Sequence, residues 1–235
     1  GGPVWFSYTL KGQGIEEWAP RFSYTGFRYV QVEGGLPADS AAGADDAVVR
    51  IEGMEGQFLY PDAAVAGEFA CSNPDVNRVH ALILSAIKSN FKSVLTDCPH
   101  REKLGWLECT HLLAGCFMYN FDSSRFYEKI ARDMREAQLE DGLVPDIAPE
   151  YVVFAGGFRD SPEWGSGAVI APWRSYWMYG DPTILQEQYA TMKRYVGYLG
   201  GKAEGHIVSY GLGDWCDIGP RSEERRVGKE CRSRW

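Results

Sequence analysis

The chain has 235 residues, a formal net charge of −8, 45% hydrophobic and 24% charged residues, a composition and length that suit one large folded domain or two modest ones. No run of about 18 apolar residues occurs, so no membrane-spanning helix is expected. The acidic balance repels phosphate backbones and argues against a nucleic-acid partner.

Residues 1–62 read as β. Phe22–Thr25 and Gly26–Glu33 alternate aromatic or β-branched positions with polar ones, and Ala47–Ile51 forms a further short strand. Turns are marked at Gly34-Gly35, Leu36-Pro37 and Gly53. Such pieces suit one edge of a β-sandwich. After Tyr60-Pro61-Asp62 the period becomes helical. Ser72-Asn73-Pro74 supplies a cap residue and a first-turn proline, and Val79, Leu82, Ile83, Ala86, Ile87 and Phe91 follow at helical spacing. A second helix is expected over about 104–119, and a third from near Asp122, carrying Phe126, Ile130, Met134 and Ala137 and ending at Asp141-Gly142. A long Gly-rich connection runs from Leu143 to about Glu163. A helix over 166–178 follows, then a stop-and-restart turn at Tyr179-Gly180-Asp181-Pro182. The last helix carries Leu185, Tyr189, Met192, Val196 and Leu199 and closes at Gly200-Gly201. A helical toroid with its active site at one end fits this order, and an ordinary helical bundle fits the periodicity equally well.

From Arg221 the character changes. RSEERRVGKECRSRW carries six basic and three acidic residues in fifteen, with no amphipathic period. It reads either as a disordered basic tail that binds something anionic or, the reading preferred here, as translated adaptor sequence foreign to the protein. None of the six cysteines forms a CxxC pair. Cys109 and Cys116, two helical turns apart, read as small hydrophobes rather than a bridge. The four histidines lack metal-ligand spacing. No metal, nucleotide or flavin motif occurs, so no cofactor is expected.

Asp97–Glu108, DCPHREKLGWLE, is the densest collection of reactive side chains. It joins three carboxylates, cations and a tryptophan, with Pro99 to stiffen the loop and Gly105 to permit close backbone approach. One physical reading is a pocket whose carboxylates accept pairs of sugar hydroxyls beside an aromatic wall. A solvated loop with local ion pairs accounts for the same composition. Pro145-Asp146 can line a cleft or cap a helix. Glu163-Trp164-Gly165 and Gly211–Asp217 repeat the recipe of glycine, carboxylate and Trp at other helix junctions. Three such loops at one end of a toroid point to a saccharide site.

These residues resemble a family. DCPHREKLGWLE is similar to the signature loop of inverting α-L-rhamnosidases: Asp-Cys-Pro, a variable residue, Arg-Glu, then Leu-Gly-Trp. VPDIAP at Val144–Pro149, PEWGSGAVIAPW at Pro162–Trp173, YGD at Tyr179–Asp181 and GLGDW at Gly211–Trp215 follow in the family's order. Upstream, FSYTGFRYVQVEG at Phe22–Gly34 resembles the segment preceding the catalytic domain. The resemblance covers about residues 20–220. It implies a mainly α fold, a partial (α/α)6 toroid over 63–220 preceded by a β-sandwich segment over 1–62, with 221–235 as a non-native tail. It also implies removal of terminal α-L-rhamnose from a rhamnose-containing glycan or glycoside, with inversion and without a cofactor. Glu102 would then be the general acid. Asp97 and Arg101 would hold rhamnose hydroxyls and tune Glu102, and Trp106, Trp164 and Trp215 would wall the pocket, with Asp214 as a further ligand. Where many members carry Gly-Asp after the Gly-Trp step, this chain has Glu108-Cys109, so Glu108 replaces the usual carboxylate one position early or marks a different subgroup. The resemblance places the general base on a Glu in a later loop, for which no candidate follows Trp215, so half of the active site is expected to be missing. Two other functions stay open: a related (α/α)6 glycosidase for another sugar, and a non-catalytic sugar-binding protein. Glu102 argues against the latter, because binding alone needs no acid there.

Overall fold

Helix formation begins where the chain supplies a cap. In the computed structural model, which describes residues 4–42 and 48–213, Asn73 accepts a side-chain hydrogen bond from the backbone N–H of Asp75 (2.9 Å), and Pro74 opens helix α1, Pro74–Asn90. Six further helices follow: α2 Leu107–Leu112, α3 Ala114–Asn120, α4 Ser124–Ala137, α5 Pro162–Gly165, α6 Gly167–Tyr179 and α7 Thr183–Lys202. The fold is therefore mainly α. The single helix expected over 104–119 is two. Trp106 is extended and bridges Ile147, which delays the start to Leu107, and at Leu113 the backbone (φ −90°, ψ 2°) leaves the helical path between α2 and α3. The last helix also runs past Gly200-Gly201 to Lys202.

Helices α4, α6 and α7 pack on one another and hold the core. Tyr127, Ile130 and Met134 of α4 meet Ala168 and Ala171 of α6 and Ile184 and Tyr195 of α7. The small α6 residues let the helices approach, and an aromatic cluster of Phe91, Phe117, Phe121 and Phe126 fills the space beneath α1 and α3. Tyr127 donates its hydroxyl to the Thr110 carbonyl (3.0 Å), which anchors α2 to the same core. Helix α1 is present as its spacing predicts, yet its apolar stripe is half-covered. Ile87 is buried while Leu82 is 69% exposed, because α3 is the helix that packs against it among the described residues.

The strands expected over Phe22–Thr25 and Gly26–Glu33 are not formed, Arg50–Ile51 of the expected Ala47–Ile51 strand is, and Leu36-Pro37, expected as a turn, is a strand because it pairs with Arg50–Ile51. Among the described residues of this part, pairing is confined to β1, Leu36–Pro37, and β2, Arg50–Ile51, in parallel. Phe22, Phe27, Tyr29 and Val30 are exposed. An alternating segment becomes a stable strand only with a neighbour to complete its ladder and an opposing layer to cover its apolar face, and neither lies within these residues. Part of the segment serves as a strap instead. Residues 23–26 are half-buried against the Asp97–Glu108 loop, where a Cβ on Gly26 would meet His100 at 3.3 Å.

Gly165, the last residue of α5, is packed under the ring of Tyr195. A Cβ there would lie 2.3 Å from the Tyr195 hydroxyl and 2.7 Å from Cζ. Because both partners are in the core, Gly165→Ala is expected to destabilise the protein by about 1–3 kcal/mol in urea denaturation. An unchanged midpoint would mean that α5 and α7 are not clamped at this point.

Candidate active site

The Asp97–Glu108 loop leaves the end of α1 and returns to α2. The N–H of Asp97 bonds to the Leu104 carbonyl (3.2 Å), closing the loop across its base. Gly105 is required by contact, because a Cβ would come within 3.0 Å of the Val94 side chain. Lys103 takes a left-handed conformation (φ 59°), a strain of about 1–3 kcal/mol. Three ties offset it. Its carbonyl accepts from the Tyr151 hydroxyl (3.0 Å), its ammonium bonds to the Tyr24 carbonyl, and the same ammonium lies 4.8 Å from the centre of the Tyr24 ring.

Within this loop the side chains of Asp97, Cys98 and Glu102 converge, their donor atoms all within 4.8 Å of one another. The Glu102 N–H donates to the Cys98 sulfur (3.3 Å). Its carboxylate receives the Trp106 indole N–H on Oε2 and an Arg101 guanidinium N–H on Oε1, both at 3.2 Å. Burial first, and then the neighbouring Glu102 charge, hold the Asp97 carboxyl above the usual range, although the Cys98 N–H counteracts this. The two carboxylates are thus unequal: one partly desolvated, the other exposed and held by two donors.

Trp106 stands over the cluster. It stacks on Phe154 (5.5 Å between ring centres, 22° between planes) and meets the edge of Trp164 at 6.3 Å. Trp164 itself is only 5% exposed and belongs to the core, so it backs Trp106 rather than facing the opening. Glu108 is half-buried in the first turn of α2. Cys109, next to it, has its thiol pushed up to about 12 by burial and by the Glu108 charge; a thiol that stays protonated makes a poor ligand or nucleophile. Asp214 and Trp215 lie outside the described residues. Of the residues selected from sequence, the structure therefore brings together Asp97, Arg101, Glu102 and Trp106.

Two residues here were not selected from sequence. Tyr24, from the strap, has its phenol raised by burial, with Tyr151, Cys98 and Asp97 also acting on it. Tyr151, from the long loop before α5, is raised by burial and by the charges of Asp97 and Glu102. Both line the carboxylate pair. Tyr24 stands inside the FSYTGF segment, where its alternation reads as a strand, and Tyr151 has no local pattern around it.

Asp146 supports the site from behind. It is 0% exposed. Its carbonyl accepts from the Leu107 N–H (2.9 Å), its own N–H bonds to the Arg159 carbonyl (3.2 Å), and Oδ1 accepts from the Ser161 N–H (2.9 Å). Burial raises its carboxyl to about 8, against the Ser161 hydrogen bond and aided by the charges of Asp160 and Glu163. Nearby, Arg159 pairs with Glu150 through two bonds (2.6 and 2.9 Å), and Asp160 accepts from Tyr198 (2.7 Å), Tyr210 (3.0 Å) and Lys202. These contacts hold the connection from Leu143 to Glu163 against α7 and the segment after it.

Residues 64–231 match the model of the bacterial alpha-L-rhamnosidase six-hairpin glycosidase domain, and residues 4–52 that of the bacterial alpha-L-rhamnosidase concanavalin-like domain. An alpha-L-rhamnosidase of Formosa agariphila is 34% identical over 233 residues, covering 96% of this chain and 23% of that protein. One of Streptomyces avermitilis is 34% identical, covering 90% and 20%. The chain thus spans about a fifth of the length of these curated relatives. Among solved structures, the alpha-L-rhamnosidase of Dictyoglumus thermophilum superposes with a TM-score of 0.67 at 34% identity, over 74% of this chain and 20% of that one. The Streptomyces avermitilis alpha-L-rhamnosidase complexed with L-rhamnose gives 0.63 at 32%, over 68% and 16%.

The buried Asp146 carboxyl has a consequence for stability. An Asp in the unfolded chain releases its proton near 3.8, whereas in the folded protein this one keeps it to about 8. The contribution of this group to stability is therefore fully present below about 4, declines as pH rises toward 8 and is lost above it. Asp146→Asn keeps the shape and stays neutral throughout. It is expected to match the parent near pH 4 and to exceed it at pH 8 by on the order of a few kcal/mol in urea denaturation. Parallel pH curves for the two proteins would refute a buried neutral acid at this position.

Proposed function

The chain belongs to the bacterial α-L-rhamnosidase family, and from that membership we propose that the complete protein is a glycoside hydrolase that removes terminal α-L-rhamnose, with inversion, from rhamnose-containing glycans or glycosides. The observation that carries this reading is the convergence of Asp97 and Glu102 beneath Trp106, in the loop that bears the family's signature.

In the proposed reaction Glu102 gives its proton to the glycosidic oxygen as the bond from that oxygen to the anomeric carbon breaks. A water then bonds to the opposite face of that carbon and yields its proton to a second carboxylate, roughly 6.5–9.5 Å from the first. That base is assigned to a part of the complete protein other than these residues. Asp97 and Arg101 bind sugar hydroxyls and orient Glu102. Trp106 offers its face to the apolar side of the pyranose and to the C6 methyl, and Trp164 stiffens it from behind. Glu108, Asp214 and Trp215 are assigned to the periphery of the same pocket. In this reading α1–α7 are the first part of an (α/α)6 toroid over 63–220, and residues 1–62 close a β-sandwich domain. The exposed apolar face of α1 supports the toroid, since further hairpins would cover it.

The test is the complete protein on p-nitrophenyl α-L-rhamnoside, with the configuration of the first-formed sugar followed by proton NMR. Release of nitrophenol and initial appearance of β-L-rhamnose are expected. Glu102→Gln should lower kcat by about 10²–10⁴-fold on a rhamnoside with a poor leaving group and by much less on the activated aryl substrate. Equal losses on both would remove Glu102 from the acid role.

A further inference from the structure

Glu102 lies in the segment matched to the six-hairpin domain, whereas Tyr24 of the strap lies in the segment matched to the concanavalin-like domain. The two segments meet at Lys103. This residue turns the chain from the exposed Glu102 to Leu104, which is buried and whose carbonyl accepts from the Asp97 N–H (3.2 Å). It makes the turn in the left-handed region (φ 59°). Glycine takes that conformation without strain, and a lysine does not.

A loop that needed only the turn would be served by glycine. What the lysine adds is reach. Its ammonium bonds to the Tyr24 carbonyl, 79 positions away along the chain, and lies 4.8 Å from the centre of the Tyr24 ring. Its carbonyl accepts from the Tyr151 hydroxyl (3.0 Å), which belongs to the long connection before α5. The strap that carries Tyr24 is itself seated on the loop: a Cβ on Gly26 would meet the His100 side chain at 3.3 Å, and the Lys92 ammonium lies 5.0 Å from the other contact surface, the Tyr24 ring. The residue after Glu102 is thus held by its side chain and by its backbone, each from a different stretch of chain. Because Leu104 is anchored, rotation about the Lys103 backbone would carry Glu102 away from Asp97 and from the Trp106 indole N–H that its carboxylate accepts (3.2 Å).

We infer that Lys103 is a positioning residue for the proposed general acid: clamped by Tyr24 of the strap and by Tyr151, it holds Glu102 where its proton is delivered, so that residues upstream of the six-hairpin domain take part in the reaction. Resting on the rhamnosidase reading, Lys103 acts through Glu102 and is assigned no contact with the sugar.

The experiment compares Lys103→Met, Lys103→Gly, Lys103→Arg and Tyr151→Phe in the complete protein, with two readouts. The first is kinetic. Lys103→Met and Lys103→Gly should lower kcat about 10–100-fold on a rhamnoside with a poor leaving group, with a smaller loss on p-nitrophenyl α-L-rhamnoside and little change in KM. Lys103→Arg keeps charge and reach and should recover most of the turnover. Tyr151→Phe removes one hydroxyl from an exposed ring, leaves the fold intact and should show a smaller loss of the same pattern. The second readout is deuterium exchange of the backbone amides of 97–104, followed by mass spectrometry. Exchange should quicken in the Met and Gly variants while α4 and α7 keep the parent rates. A Lys103→Gly protein as active as the parent would mean that the ties only offset backbone strain, and would overturn the inference. So would a loss confined to KM, equal losses on the two leaving groups, an Arg variant no better than Met, or exchange that is unchanged in the loop or quickened equally in α4 and α7. Exchange needs no turnover, so a complete protein inert on every rhamnoside would strike the proposed reaction, and the clamp would be judged by its exchange rates.

Discussion

Asp146 joins three stretches of chain that are distant in sequence. Its carbonyl holds the first turn of α2 through Leu107, its N–H holds Arg159, and its carboxyl holds the N–H of Ser161 ahead of α5. Trp106 is bridged to the adjacent Ile147. The position of the indole over Glu102, and of Trp164 behind it, therefore depends on one residue with no exposed surface. Burying a carboxyl is unfavourable for its charged form, and its proton is held up to about 8 as a result. The helical core provides the rigidity and Asp146 transmits it to the loops.

The carboxylate pair depends on steric economy in the same way. Gly105 lets the signature loop lie against Val94, and Gly165 lets α5 and α6 close on Tyr195. Above this frame the rings of Trp106, Phe154 and Trp164 form a graded aromatic layer, wet at Trp106 and dry at Trp164. A sugar needs such a wall: rigid, apolar on one face and bordered by acceptors for its hydroxyls.

The strap gives residues 22–26 a purpose other than that of a strand. It brings Tyr24 to the edge of the carboxylate pair and, on its other side, to a cleft lined with lysines. The Lys103 ammonium, one residue after Glu102, touches the same ring.

Local chemistry was legible without coordinates. The cap at Asn73, the helical spacing of α4, α6 and α7 and the crowded loop Asp97–Glu108 depend on neighbours a few residues apart, where period and turn chemistry act directly. The strands expected over Phe22–Glu33 do not form within these residues, because alternation records a preference for a half-buried surface, and a sheet forms only when other strands supply that surface. Helix α1 was read correctly, but its burial was not, for the same reason. Tyr24, Tyr151 and the role of Asp146 were beyond the reach of sequence, since each acts on residues roughly 15 to 120 positions away along the chain, through contacts that only folding creates. Sequence by itself determined helices α1, α4, α6 and α7 and singled out the loop that carries Asp97, Arg101, Glu102 and Trp106. Tertiary structure alone decided which aromatic faces stay open and which carboxyl is buried, because burial and electrostatic environment are properties of the packed assembly and not of any stretch of chain.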